Sequence, residues 1–397
     1  MRLVVLVSCS LPALALADER ATRPVQVPAT TATPVIGGSA APGGKWPDTA
    51  ALLFGGTQEC TGTLVAPTVV ITAGHCVSDG APDQVLLGTN SLLNPGGAGE
   101  VINVKAFFEY PNSWNTVDAG ILVLEKESKV TPRAIASGWA KLDIANAASI
   151  ELVGYGTTDR NGTVSTDNLM EAQTTITDFN CSASSGCNTG AQPDGELGAG
   201  GMGVDTCPGD SGGPLYLLTP YGQFVAGITS RGYDNAQFAC SEGGIYGRPD
   251  KIVDWIEKTA GVPVSRGPTP SAEPITVAAG EGAETKIAHN DPKSDKHTYA
   301  ITTESPYATA KVREDGMVRV CAGNGVGTTT LGITITDERD PKRQVTFSIP
   351  IAIQAGDGTG CDVNDFSDGG CCDTRRDARG SIPLALAVLL VLRRRRK

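Results

Sequence analysis

Between residues 35 and 260 the chain alternates short β-branched, apolar runs with Gly, Pro, Asn and Asp turns. The clearest runs are Gly62–Thr72, Glu100–Phe107, Gly120–Leu124, Glu151–Val153 and Phe224–Thr229. Such runs predict the strands of an all-β barrel or sandwich. One segment departs from this pattern. From Pro249 to Lys258, residues Ile252, Val253, Trp255 and Ile256 recur at helical spacing, with Gly261 just beyond, which predicts one amphipathic helix closing the unit. Residues 261–274 have the Pro/Gly/Ser composition of a linker. From Ile275 to Gln354 the pattern becomes Thr-rich alternation, as in Gly327–Thr336 and Gln344–Ile353, with a turn signal at Glu314-Asp315-Gly316. This predicts a small β-sandwich. Residues 355–370 are Gly/Asp-rich and read as a spacer.

The two ends follow other rules. Residues 1–17 carry Arg2, an apolar run broken at Ser8-Cys9-Ser10, and the small-residue end Ala15-Leu16-Ala17. This is the layout of a cleaved export signal. Leu6-Val7-Ser8-Cys9 also looks like a lipoprotein cleavage box, but too few residues precede the cysteine to form an apolar region. Residues 18–34 are Thr/Ala/Pro-rich without periodicity and suit an unstructured pro-segment. At the other end, Cys371-Cys372 precede arginines, an apolar run Ile382–Leu392 and the closing Arg393–Lys397. That run is too short, at about 1.5 Å per residue, to cross roughly 30 Å of hydrocarbon as a helix. The order of Cys motif, short apolar segment and Arg cluster over residues 371–397 resembles the C-terminal sorting tag of myxobacterial-type surface proteins. The resemblance implies a cleaved tag, and with it an exported protein that is extracellular or held at the outer cell surface.

Composition narrows the classes. Glycine (49) and proline (25) are abundant in 397 residues and aromatics are 5%, which disfavours a helical bundle. The formal net charge is −11 although the last residues are cationic, so no basic face is available for nucleic acid. Eleven cysteines are too sparse for a disulfide scaffold, yet several stand at bridging distances, which points to an oxidising compartment. No metal signature occurs: there is no CxxC and no His-x-x-x-His. Asp291 and Asp295 read as solvated loop carboxylates in preference to a calcium site. No cofactor is expected.

Three segments carry chemistry. His75, in Ile71-Thr72-Ala73-Gly74-His75-Cys76, ends an apolar strand where a side chain can face a cleft, and a bridge from Cys60 to Cys76 would pin that turn. Asp118 stands at the mouth of the strand Gly120–Leu124, where a partly desolvated carboxylate needs a donor. In Gly209-Asp210-Ser211-Gly212-Gly213-Pro214, a serine lies among residues without bulk, so the backbone can turn tightly and aim N–H groups at one point. Together they supply a base, an orienting acid and a nucleophile in the chain order His75, Asp118, Ser211.

At these intervals the TAGHC, DAGILVL and GDSGGP segments resemble the trypsin-like (chymotrypsin-fold) serine proteases over residues 35–260. Further along, Thr298-Tyr299-Ala300-Ile301 and Asp315-Gly316-Met317-Val318 resemble bacterial cadherin-like or Ig-like modules, which implies a sandwich of that kind over residues 275–354. The protease resemblance implies an all-β, two-barrel fold with a C-terminal helix ahead of it. It also implies an oxyanion hole from the N–H groups of Gly209 and Ser211. Asp205 falls where the family places the base of its primary pocket, which implies cleavage of protein or peptide substrates after Arg or Lys. Ser230, Gly232 and Gly244 would line that pocket, and Cys207 with Cys240 would bridge its walls. A Cys181–Cys187 bridge would be shorter than the family's usual one, and Cys321 and Cys361 remain unassigned.

Two departures change the expectation. Arg231 stands where the family usually has tryptophan, placing a second positive charge near the pocket and favouring acidic residues upstream of the cleaved bond. Val35-Ile36-Gly37-Gly38 matches the family's activated N-terminus and Asp210 its partner, but the preceding residue is Pro34, so an Arg/Lys-specific enzyme could not free Val35 itself. An activating protease of other specificity is expected. Two rival readings remain. Gly209-x-Ser211-x-Gly213 also fits an α/β-hydrolase elbow, but only His289 and His297 follow the serine, outside the first unit. The other rival is a catalytically silent protease scaffold serving as a surface binding protein, with the sandwich holding the ligand.

Overall fold

Apolar runs that alternate with tight turns have close antiparallel partners in sequence, and they pair into closed sheets that leave no free edge. The structure, a computed structural model, describes residues 35–367 apart from 79, 95, 97 and 359. The expected export signal, pro-segment and sorting tag lie outside the described residues. Strand β1 is Ser39–Ala40, and a first closed barrel follows from β2 (Thr49–Phe54), β3 (Thr57–Ala66), β4 (Val69–Thr72), β5 (Gln84–Leu87), β6 (Glu100–Glu109) and β7 (Gly120–Leu124). The run Gly62–Thr72, expected as one strand, is the β3–β4 hairpin. Pro67 has no N–H to give a ladder, so the chain turns at Pro67-Thr68.

A second barrel comprises β8 (Ser149–Gly154), β9 (Met170–Asp178), β10 (Glu196–Ala199), β11 (Pro214–Thr219), β12 (Gly222–Gly232) and β13 (Gly244–Gly247), closed by pairing of β9 with β8 and flanked by β1. The closing helix is interrupted: a 3₁₀ turn at Pro249–Lys251 gives way at Ile252 to a helix, Val253–Ala260, capped by Gly261 at φ +72°. Val253 and Ile256 are buried, while Trp255 meets Tyr110 edge-on at 5.0 Å.

By contacts the chain divides into two units. The first contains the chain up to Arg133 with Ala145–Leu218 and Val225–Val264, and the second Ala134–Ile144, Thr219–Phe224 and the chain from Ser265. The second unit has a four-stranded sheet of β14 (Ile275–Ala278), β20 (Gln344–Gln354), β19 (Gly327–Asp337) and β16 (His297–Thr303), and a three-stranded sheet of β15 (Gly282–Lys286), β18 (Met317–Ala322) and β17 (Ala308–Val312). Alternate residues of β20, namely Ile349, Ile351 and Ile353, point into a core shared with Val318, Val320, Ile333 and Ile335. Trp139, far earlier in the chain, is fully buried in this core and donates from Nε1 to His289 O at 2.6 Å. Residues 265–268 of the expected linker carry backbone hydrogen bonds to Ile135 and Trp139. A chain ended at Gly261 would strip Trp139 of these neighbours. Trp139→Ala is expected to destabilise the second unit by about 3–5 kcal/mol, measured by urea unfolding of the full chain.

Among the described residues four disulfides are formed: Cys60–Cys76, Cys181–Cys187, Cys207–Cys240 and Cys321–Cys361. The last pair is one the sequence left open. Asp291 is not a solvated carboxylate. It is buried, with Oδ2 at 3.3 Å from His297 Nε2 and Oδ1 accepting from the Lys293 N–H at 2.9 Å. Asp295 is exposed and pairs with Arg339.

Candidate active site

Strand register brings the first two chemical segments together. In the β4–β7 ladder Thr72 lies opposite Gly120, so the residues just past one strand and just before the other, His75 and Asp118, emerge side by side. Gly74 permits this approach, because a Cβ there would stand 2.7 Å from Ser113 and 3.0 Å from Asp118 Oδ1. His75 opens a short helix, α1 (His75–Ser78), and its backbone N–H donates to Asp118 Oδ1 at 3.0 Å while its Nδ1 lies 2.8 Å from Oδ2. Ser230 Oγ is 2.7 Å from the same Oδ2. Burial alone would raise the Asp118 carboxyl. The hydrogen bond and charge of His75, with the bond from Ser230, overcome this and hold it below the usual carboxylate range.

The serine loop is fixed from both barrels. Thr61 of β3 donates its N–H to Ser211 O at 2.8 Å, and Gly209 O accepts from Thr61 Oγ1 (2.8 Å) and Gln58 Nε2 (2.9 Å). From β12, Thr229 exchanges backbone hydrogen bonds with Gly212 and Gly213. Glycine is required at two points. Gly209 has φ +96° and Gly212 φ +80°, and a Cβ on Gly212 would lie 2.0 Å from Thr72 Oγ1. Among the described residues, neither the Gly209 nor the Ser211 N–H donates to a protein acceptor.

Asp210 points away from this loop and is wholly buried. Its Oδ1 accepts from the Gly156 N–H (2.7 Å) and its Oδ2 from the Cys207 N–H (2.8 Å), and burial pushes its carboxyl up to about 7. Val35 is buried too, at φ +35°, a costly backbone for a β-branched residue. Its neighbour Ile36 accepts the N–H of Asp205, tying the first of the described residues to the segment that precedes the serine loop.

Asp205 is buried, with Oδ1 accepting from the Thr206 N–H (2.8 Å) and Oδ2 from the N–H groups of Gly243 (2.9 Å) and Glu242 (3.1 Å). Burial pushes its carboxyl up to about 6 against those hydrogen bonds. Gly232 and Gly244 are paired across β12 and β13, and a Cβ on Gly232 would meet nothing within 4 Å. The space beside it is open.

Three features escaped the sequence reading. Trp114, 66% exposed, tilts its ring 6.5 Å from that of His75. Tyr246 sets its hydroxyl 3.2 Å from Thr206 Oγ1 beside Asp205. Glu196 lies fully buried against Arg231, with Nη1 to Oε1 at 2.8 Å and Nη2 to Oε2 at 3.1 Å. The positive charge expected at Arg231 is therefore paired, with a carboxylate that nothing local in the sequence marks. Two groups satisfy a metal-ligand geometry among the described residues, Cys60/His75/Cys76 and Cys181/Cys187/Glu196. All four cysteines are in disulfides and offer no thiolate.

The trypsin family model matches residues 35–256, more than half of the chain. The chain belongs to the trypsin family. Among curated proteins, it is 30% identical over 242 residues to chymotrypsin-like elastase family member 1 of Macaca fascicularis, covering 57% of this chain and 89% of that one. It is 33% identical over 214 residues to the protein of the same name in Rattus norvegicus, covering 49% and 78%. It is 32% identical over 232 residues to a trypsin of Saccharopolyspora erythraea, covering 56% and 96%. Membership in this trypsin-like serine protease family accords with the two six-stranded barrels and supports a hydrolase.

Proposed function

We propose that the chain is an exported serine endopeptidase that hydrolyses peptide bonds after Arg or Lys. The observation that supports this most is the Asp118 carboxylate receiving His75 at 2.8 Å beside the Gly209–Gly213 loop. An ionised carboxylate can only accept, so His75 carries a proton on Nδ1, and in the neutral imidazole the lone pair falls on Nε2. Ser211 Oγ attacks the scissile carbonyl carbon as Nε2 takes its proton, and the N–H groups of Gly209 and Ser211 hold the oxyanion. Collapse breaks the C–N bond, and the leaving amine takes the proton from Nε2. Water then attacks the acyl-Ser211 ester with His75 again as base, and the acid product leaves.

Asp205 supplies the reading of substrate. Among the described residues no cation pairs with its buried carboxylate, and an Arg or Lys side chain reaching it past Gly232 and Gly244 would bring one. Asp205→Ser is expected to lower kcat/KM for Arg substrates roughly a hundred- to a thousandfold. Because burial holds this carboxyl at about 6, the free enzyme loses its pocket charge as pH falls through that value. KM for an Arg-ending peptide should therefore rise below pH about 6 while the Asp205→Ser protein shows no such limb.

Activation follows from Val35 and Asp210. Cutting the Pro34–Val35 bond removes the carbonyl that makes φ +35° costly at Val35 and frees an α-amine whose pairing would bring the Asp210 carboxyl down from about 7. That pairing raises the amine in turn, so the active form is complete below its ordinary pKa of about 8 and is lost as pH rises through the raised value. A chain starting at Val35 should be active and one starting at Asp18 should not; full activity from Asp18 would contradict this. An arginine-like phosphonate, which reacts with an activated serine, tests the whole reading. It should attach covalently to Ser211 in the Val35 form, and absence of an adduct would favour the silent binding scaffold.

A further inference from the structure

The pair of Glu196 and Arg231 is costly. Glu196 is fully buried while the Arg231 side chain is 30% exposed, and burying a charge gives a net return only with excellent geometry; apolar replacements of such pairs are often as stable or more so. The geometry here is complete. Arg231 binds both oxygens of Glu196, donates from Nη2 (2.7 Å) and Nε (3.3 Å) to Gly186 O, and donates from Nη1 to Ser230 Oγ at 2.9 Å. Glu196 Oε2 also accepts from the Asn188 N–H at 2.7 Å. Ser230 is the extra residue of a bulge, since Thr229 and Arg231 oppose the adjacent Tyr246 and Ile245. A bulge re-aims a side chain, and here the hydroxyl meets Asp118 Oδ2 at 2.7 Å.

The direction of each hydrogen bond is fixed by chemistry. A guanidinium has no acceptor, so Ser230 Oγ must accept from Arg231, and its single proton must go to the carboxylate, which can only accept. The chain then runs from Arg231 through Ser230 to Asp118 Oδ2, where the second donor is His75 Nδ1. Glu196 cancels the guanidinium charge, so the chain is polarised without a net cation opposing the imidazolium that forms on His75.

We propose that Arg231, anchored by Glu196, is a positioning residue: it locks the Ser230 hydroxyl as a donor to Asp118 and so keeps Asp118 and His75 Nδ1–H aligned for proton transfer. This rests on the peptidase reading of the site, and the test separates the two. Arg231→Met alone leaves Glu196 buried and unpaired and endangers folding, so the decisive variant is the Glu196→Met/Arg231→Met double, an apolar pair that should fold at least as stably. The expected result is a kcat per titrated active site lower by roughly ten- to a hundredfold, with KM for a short Arg peptide within about twofold. The downfield proton resonance of His75 Nδ1–H should broaden or shift in the same variant, and Arg231→Lys, which keeps a donor near Ser230, should recover part of the loss. An unchanged kcat with an unchanged resonance would overturn the proposal. The resonance is readable without turnover: a shift in a protein that cleaves no peptide would uphold the alignment role and overturn the peptidase reading instead.

Discussion

Ser211→Ala is expected to lower kcat for a peptide substrate about a millionfold while moving KM only a few fold. The alanine removes the atom that forms the acyl intermediate. It leaves the Asp205 side chain and the proposed Gly209 and Ser211 N–H donors, which belong to another residue and to the backbone. The residual rate should therefore be that of positioning and oxyanion stabilisation alone. Adding His75→Ala should cost little more, because a base without its nucleophile has nothing to deprotonate. Steady-state kinetics on the two variants checks both statements. Independent, multiplying losses would show that His75 and Ser211 do not act as one unit.

Asp118→Asn should cost about 10⁴ in kcat with the fold intact. Asp118 now accepts three donors, namely the His75 N–H at Oδ1 and both His75 Nδ1 and Ser230 Oγ at Oδ2. An amide offers one oxygen and one NH₂ group. With the oxygen kept on the His75 backbone N–H, the NH₂ faces Nδ1 and forces the imidazole proton onto Nε2, where it blocks base catalysis. The same NH₂ also meets the Ser230 hydroxyl, which Arg231 has pinned as a donor, so the variant acquires a donor–donor conflict. The kinetic loss should accordingly appear in kcat, and nitrogen NMR of the His75 ring should report the exchanged tautomer.

Much of this site is legible in the sequence because its parts sit at strand ends. Apolar runs ending in Thr72 and beginning at Gly120 are readable as strands, and once they pair, His75 and Asp118 must be neighbours. The glycines around Ser211 are readable for a related reason, since a backbone turning at φ +96° and +80° excludes most side chains. Glu196 is a different case. Nothing next to it announces burial, and its reason for being inside is Arg231, a partner distant in the chain. Trp139 is likewise read from its own surroundings as part of the first unit, yet its indole completes the core of the second. Asp291 looks like a loop carboxylate until folding sets His297 against it. For Glu196 and Trp139 the deciding contact is long-range, so no local pattern of hydrophobic and polar positions carries it; Asp291 and His297 stand only six residues apart, and what the local pattern does not carry there is the burial of both.

The central claim is that this chain cleaves peptides after Arg or Lys through Ser211. The most direct measurement is turnover of short chromogenic peptides ending in Arg, Lys, Phe or Ala by the full protein beginning at Val35, beside its Ser211→Ala twin. Cleavage after Arg and Lys that disappears in the twin is the predicted result. Serine-dependent cleavage only after Phe or Ala would contradict the assignment of Asp205, and no cleavage by folded protein with a free Val35 would contradict the claim itself.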